Sequence, residues 1–109
     1  MMKTRIFFVC AALLAISSAA SAASGDATAG KKKSTACVAC HGENGISMSP
    51  EFPNLAGQYP DYIETALRHY QNGKRKNPIM TGQVANLTPK DIADLAAYYS
   101  SLHGLDVKK

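Results

Sequence analysis

The sequence has little of the material from which a small folded interior is usually built. Its 109 residues include no tryptophan, 7% aromatic residues and three cysteines. The longest charge-free apolar run, residues 6–16, is shorter than the about 20 residues that a membrane-spanning helix requires. No segment shows the alternating apolar pattern of a half-buried strand. These absences argue against a disulfide-rich scaffold, a sheet-based fold and stable membrane insertion.

The first two dozen residues have the composition of a targeting segment. Lys3 and Arg5 precede the apolar run, and residues 17–24 that follow it are nearly all Ala and Ser. This order is typical of a secretory signal peptide. We predict a signal peptide over residues 1–23, cleaved after Ala22 or Ala23, and hence a periplasmic protein whose single domain is residues 24–109. An uncleaved anchor is the alternative, and the shortness of the apolar run disfavours it.

Without this leader, too little chain remains for a self-sufficient core. Cys10 would leave with the leader, so only Cys37 and Cys40 remain and no disulfide framework is available. A domain of this size buries only roughly 60–65% of its unfolded surface. We therefore expect something other than protein, such as a large apolar cofactor held covalently, to help build the interior.

The charge of the remaining chain is modest but clustered. Removing Lys3 and Arg5 leaves ten basic residues against eight acidic ones and lowers the net charge from +4 to about +2. This is not the footprint of a nucleic-acid-binding protein. Basic residues gather at residues 31–33 and again at residues 74–76. Each cluster is either a solvated face or a docking patch for an acidic partner.

Caps and apolar periodicity predict an all-α fold with about three main helices. The first extends from an Asp26 cap towards Cys37, the second from Pro60 to a Gly73 cap, and the third from Thr88 and Pro89 to Gly104. Gly30 in the first helix costs about 1 kcal/mol relative to Ala, so we expect it to allow a close helix crossing. Residues 42–59 and 74–87 show no regular pattern, and loops of that length are unusual unless they wrap a ligand.

One motif in the sequence indicates a specific covalent chemistry. Cys37-Val38-Ala39-Cys40-His41 has the C-x-x-C-H spacing of c-type haem attachment. Thiols three residues apart at the end of a helix lie on one side and can each add to a vinyl group of the same macrocycle. His41 can then offer its Nε2 atom to the iron.

Three other interpretations of the two cysteines are weaker. A zinc site needs further ligands at a suitable spacing, and only His69 and His103 remain. A thioredoxin-like dithiol stands at the start of a helix in a βαβ setting, whereas these cysteines end a helix in an all-α chain. A structural disulfide is the third alternative.

Beyond the motif, the chain resembles the class I cytochromes c, and within them the short bacterial c4-type and c553-like monohaem forms. The resemblance extends from Gly25 to about Leu102. It depends on four segments in the same order and spacing: C-V-A-C-H-G from Cys37, F-P-N-L-A-G-Q from Phe52, N-P-I-M-T-G from Asn77, and L-A-A-Y-Y from Leu95.

The resemblance implies the rest of the site. Met80 is the implied sixth ligand of the iron, on a loop stiffened by Pro78 and turned by Gly82, and Met48 is the rival. Pro53 matches the position whose carbonyl accepts a hydrogen bond from the histidine ligand. The side chains implied to line the haem pocket are Leu55, Ile79, Val84 and Leu87. Lys33 departs from the pattern, because many relatives have an aromatic residue there, so the helix crossing is expected to pack differently.

From this pattern we predict an electron carrier and not an enzyme, because iron with two protein ligands has no open position for a substrate. A haem-based ligand sensor or peroxidase, in which Met80 leaves the iron, is the alternative. A subunit that relays electrons inside a larger complex is a third possibility. For the carrier, we expect one haem c, redox proteins as donor and acceptor, and a monomer.

Overall fold

The computed structural model describes residues 24–104, so the predicted signal peptide lies outside the described residues. Five α-helices and no strand occur in this part of the chain. They are α1 Ala27–Lys33, α2 Thr35–His41, α3 Pro60–Asn72, α4 Pro78–Val84 and α5 Pro89–Ser101. None of the helices formed by residues 24–104 is long and apolar enough to cross a bilayer.

The first predicted helix is two helices. Asp26 caps α1 as expected, its carboxylate accepting hydrogen bonds from the backbone N–H groups of Thr28 and Ala29. The helix breaks at Ser34, which is buried and donates a hydrogen bond from its hydroxyl to the Lys31 carbonyl at 2.7 Å. A serine side chain that binds a carbonyl three residues back competes with the helical hydrogen bonds. The cysteines consequently belong to a separate short helix, α2.

The prediction that residues 74–87 form a loop was wrong, because they contain α4. Asn77 caps this helix and Pro78 occupies its first position, two start signals that the sequence displays. Seven residues are too few for apolar periodicity to show. Gly82 lies inside α4 and does not turn the chain, which corrects the role expected for it.

The core forms along α5. The helix begins at Pro89 after Thr88, as expected, and Thr88 and Asp91 form a capping box in which each side chain accepts a hydrogen bond from the other residue's backbone N–H group. The helix ends at Ser101, three residues before the expected Gly104. The buried cluster that surrounds it contains Ile63, Leu95, Ala96, Tyr98 and Tyr99. On α3, Ile63 is buried whereas the neighbouring Tyr62 is 51% exposed.

Gly30 lies where α1 crosses α5. A Cβ atom added at this position would stand 1.9 Å from the carbonyl oxygen of Asp94 and 2.7 Å from the Cβ of Tyr98. Only a residue without a side chain allows the two backbones to approach so closely. The expected crossing is therefore confirmed, with Asp94 and Tyr98 as its partners.

Lys33 joins this crossing through charge. Its ammonium group contacts the carboxylates of Asp94 at 2.6 Å and Asp91 at 2.8 Å. Lys90 reaches Asp94 at 3.1 Å, and the backbone N–H of Asp26 donates to the same carboxylate at 2.8 Å. We call Lys33, Lys90, Asp91 and Asp94 the Asp94 cluster. Asp94 has no exposed surface. Because a buried charge is unfavourable unless it is paired, these partners stabilise the ionised carboxylate of Asp94.

The close approach at Gly30 can be tested with alanine. We expect Gly30→Ala to lower the free energy of unfolding by about 1–3 kcal/mol, the usual cost of overpacking, although alanine favours a helix. Gly82→Ala is the matched control, since a Cβ there meets no atom within 4 Å, and it should raise stability by about 0.5–1 kcal/mol. Denaturant unfolding followed by circular dichroism measures both. Equal effects of the two substitutions would contradict the close crossing.

The Asp94 cluster predicts a pH dependence of stability. The backbone N–H of Asp26 and then Lys33 hold the pKa of Asp94 well below its usual range, and Lys33 lowers the pKa of Asp91 to about 2. A lowered pKa stabilises the fold above the unfolded value near 3.8 and loses that effect as the pH falls through the folded value. Stability should therefore decline from about pH 4 towards pH 2.

The variant Asp94→Asn should be less stable at pH 7 and should show a flatter decline in acid. Glu51→Gln, at an exposed loop carboxylate, is the control and should leave the curve unchanged. Denaturant unfolding at a series of pH values measures this dependence. If the free energy of unfolding of Asp94→Asn falls with acid as steeply as that of the parent protein, the cluster does not cause the pH dependence of stability.

Candidate functional site

The C-x-x-C-H motif occupies the second half of α2. Cys37 and Cys40 lie three residues apart, so their side chains share one side of the helix. Both are unpaired thiols and both are half-buried. His41 is the last residue of α2 and is 6% exposed. The segment therefore presents two sulfur nucleophiles and one imidazole on consecutive turns.

The imidazole of His41 is held in one orientation. Its Nδ1 lies 2.8 Å from the carbonyl oxygen of Pro53. A carbonyl can only accept, so Nδ1 carries the proton and donates. Nε2 is then the ring nitrogen with a free lone pair, which is the arrangement of a metal-ligating histidine. The contact expected between His41 and Pro53 is present.

The loop of residues 42–59 brings Pro53 to this position. Gly42 has a φ of 84° and turns the chain out of α2. The Gly45 carbonyl then accepts hydrogen bonds from the backbone N–H groups of Leu55 at 2.8 Å and Ala56 at 3.1 Å. These bonds close the loop across Pro53. Leu55, expected at the site, packs against the core cluster together with Cys37.

Tyr99 was predicted only as a core residue, but its hydroxyl belongs to the site. It lies near the Cys37 thiol and the Ser34 hydroxyl, yet it forms no regular hydrogen bond within residues 24–104. Burial raises the pKa of Tyr99 and also that of the Cys37 thiol. A buried polar atom without a partner is uncommon in a finished interior. The indication in the sequence was a tyrosine on the buried face of α5, where a ring without a hydroxyl would be sufficient for packing.

The two methionines differ in their placement. Met80 is the third residue of α4 and half-buried, and its backbone N–H donates to the Asn77 side chain at 3.0 Å. Met48 lies in the loop after α2 with its side chain fully exposed. Ile79 was expected to line the site, and its side chain is 56% exposed. Val84 is buried, and Leu87 is half-buried and packs against the core cluster.

Comparison with known proteins defines the class. The chain belongs to the cytochrome c family, because the model of that family matches residues 27–103. Its structure is similar to that of reduced cytochrome c4 from Pseudomonas stutzeri, with a TM-score of 0.72 and 41% identity over 75% of this chain and 48% of that one.

Two relatives show how far the similarity extends. Cytochrome c-554(548) of Halomonas halodenitrificans is 48% identical over 80 residues, which cover 71% of this chain and 96% of the relative. Cytochrome c4 of Pseudomonas aeruginosa is 47% identical over 79 residues, which cover 72% of this chain but 39% of the relative. The chain thus matches the c-554(548) protein over nearly its whole length and less than half of the c4 protein.

Membership in the family means that the protein carries haem c, with its iron, and transfers electrons. The described residues fit such a group. Two unpaired thiols share one side of α2 beside an oriented histidine, and the buried Tyr99 hydroxyl next to Cys37 lacks a partner within residues 24–104. The expected all-α fold and the expected cofactor are both confirmed.

Proposed function

We propose that this protein is a periplasmic carrier that passes single electrons between redox proteins. In this proposal Cys37 and Cys40 would attach the haem, and His41 and Met80 would bind its iron. The observation that carries the proposal is the 2.8 Å contact between His41 Nδ1 and the Pro53 carbonyl. It leaves Nε2 free at the end of the helix that also bears both thiols.

Met80 is favoured over Met48 by its surroundings. It lies on a capped helix, whereas Met48 lies in a loop seven positions after His41 with its side chain in solvent. A ligand on a separate helix can approach from the opposite side to His41. When bound, haem iron supplies one-electron chemistry, and a thioether ligand raises its reduction potential relative to harder ligands. Both axial positions are then filled by protein, which suits a carrier and not an enzyme.

The 74–76 cluster is the docking surface that we assign to acidic partners. All three residues are exposed and directly precede the Asn77 cap of the Met80 helix. Arg75 is fixed, with its guanidinium 5.1 Å from the centre of the Tyr70 ring and 3.4 Å from the Tyr62 hydroxyl. Exposed Ile79 adds an apolar contact beside these charges. An apolar centre with a cationic rim suits brief electrostatic docking.

The 31–33 cluster is less suited to docking. Lys33 is committed to Asp91 and Asp94, which leaves Lys31 and Lys32 as exposed cations on α1. This difference makes the two clusters a matched pair for experiments.

Replacement of Met80 tests the ligand assignment. In Met80→Ala, we expect loss of the sulfur-to-iron charge-transfer band of the ferric protein and a marked fall in the reduction potential, because a soft donor is removed. Met48→Ala is the control and should retain both properties. Optical spectroscopy and potentiometry measure them. A band that survives in Met80→Ala would refute the assignment, and a native protein without the band would favour the ligand sensor or peroxidase.

Charge reversal tests the docking surface with small redox probes. We expect the double variant Lys74→Glu with Lys76→Glu to react about tenfold more slowly with anionic ferricyanide at low salt, and faster with cationic hexaammineruthenium, because local charge steers encounter. The double variant Lys31→Glu with Lys32→Glu has the same net charge and should change these rates less. Stopped-flow kinetics at several ionic strengths gives the comparison. Equal effects from both variants would show that only net charge matters.

A further inference from the structure

Gln71 makes an unusual pair of contacts near the end of α3. Its side-chain Nε2 atom donates to the carbonyl oxygen of Val84 at 2.9 Å and to that of Leu87 at 2.8 Å. Both partners are carbonyls and can only accept, so both protons of one amide group are used. Gln71 thereby bridges 13 residues to the end of α4 and 16 residues to the turn before α5.

Helix α4, which Gln71 contacts, is too short to be stable on its own. Isolated helices shorter than about 12 residues are marginal in water, and α4 has seven residues. Its first turn is fixed by Asn77, whose side chain accepts hydrogen bonds from the backbone N–H groups of Ile79 and Met80. That cap is local, so it shapes the helix without deciding where the helix lies.

The far end of α4 is attached to the rest of the fold. Val84 is 1% exposed, and its carbonyl also accepts a hydrogen bond from the backbone N–H of Leu87 at 3.1 Å. Leu87 in turn packs against the core cluster. Gln71 is the polar side chain that connects this buried end to α3, the helix against which α4 packs.

We infer that Gln71 is a positioning residue for the sixth ligand: its amide fixes the end of α4 against α3 and thereby holds Met80 at the iron. The inference rests on the proposed assignment of Met80. The hydrogen bonds that the Gln71 side chain makes within residues 24–104 go to Val84 and Leu87, and neither involves Met80 or His41. The effect of Gln71 should therefore appear in how readily Met80 leaves the iron, and less in the stability of the whole domain.

Competition by imidazole in the ferric holoprotein measures this effect. We expect Gln71→Ala to bind imidazole about three- to tenfold more tightly than the parent protein, with a weaker charge-transfer band. This factor corresponds to about one net hydrogen bond, because one of the two bonds is exposed to solvent and contributes little. Gln71→Glu keeps the size of the side chain but turns carboxylate lone pairs towards two carbonyls. It should bind imidazole at least as tightly as Gln71→Ala.

Two control variants separate positioning from general destabilisation. Gln83→Ala removes an exposed amide from α4 itself, which forms no side-chain hydrogen bond within residues 24–104, and it should match the parent protein. Gly30→Ala weakens the fold at the distant α1–α5 crossing and should bind imidazole like the parent protein. If imidazole affinity follows global stability across all the variants, or is unchanged in Gln71→Ala, the inference is overturned.

The Met80→Ala variant distinguishes failure of this inference from failure of the proposed function. Loss of the charge-transfer band in Met80→Ala together with parent-like imidazole binding in Gln71→Ala refutes only the role of Gln71. Retention of the band in Met80→Ala refutes the ligand assignment and the inference with it.

Discussion

The approach of α1 to α5 at Gly30 is the contact on which the rest of the structure depends. The two backbones meet where a Cβ would lie 1.9 Å from the Asp94 carbonyl, and the Asp94 cluster holds the same crossing through charge. Lys33 contributes to this crossing through its ion pairs with Asp91 and Asp94. The first and last helices of residues 24–104 are thus held together both by close backbone packing and by charge.

Beyond this crossing, α5 also contacts the segment that bears the C-x-x-C-H motif. Its buried face places Tyr99 beside Cys37, and the Tyr99 carbonyl accepts a hydrogen bond from the backbone N–H of Gly57 at 2.9 Å. The loop of residues 42–59 is therefore fixed at its far end by α5 and at Gly45 by its own backbone. Pro53 lies between these two points, so the orientation of His41 follows from the position of α5.

The two sides of the site are built differently. His41 is buried at the end of the helix that bears both thiols, and a backbone carbonyl fixes its ring. Met80 lies on a seven-residue helix that contacts the fold mainly through α3 and the amide of Gln71. The histidine side is thus part of the core, while the methionine side is held by a few polar contacts. If Met80 is the sixth ligand as proposed, this arrangement suits a fixed histidine ligand and a more easily displaced methionine ligand.

Local features of the chain determined much of this protein. The C-x-x-C-H spacing, the caps at Asp26 and Thr88, the proline that begins α3 and the glycine at residue 30 predicted the cofactor, the main helices and the close crossing. Each acts through residues near in sequence or through the absence of a side chain. The break at Ser34 and the short helix α4 have local causes, but helices of seven residues are too short for periodicity to mark. Other features were decided only by the tertiary structure: the burial of Asp94 and the two bonds of Gln71. These depend on partners 13 to 68 residues away in the chain, so that no local pattern could reveal them.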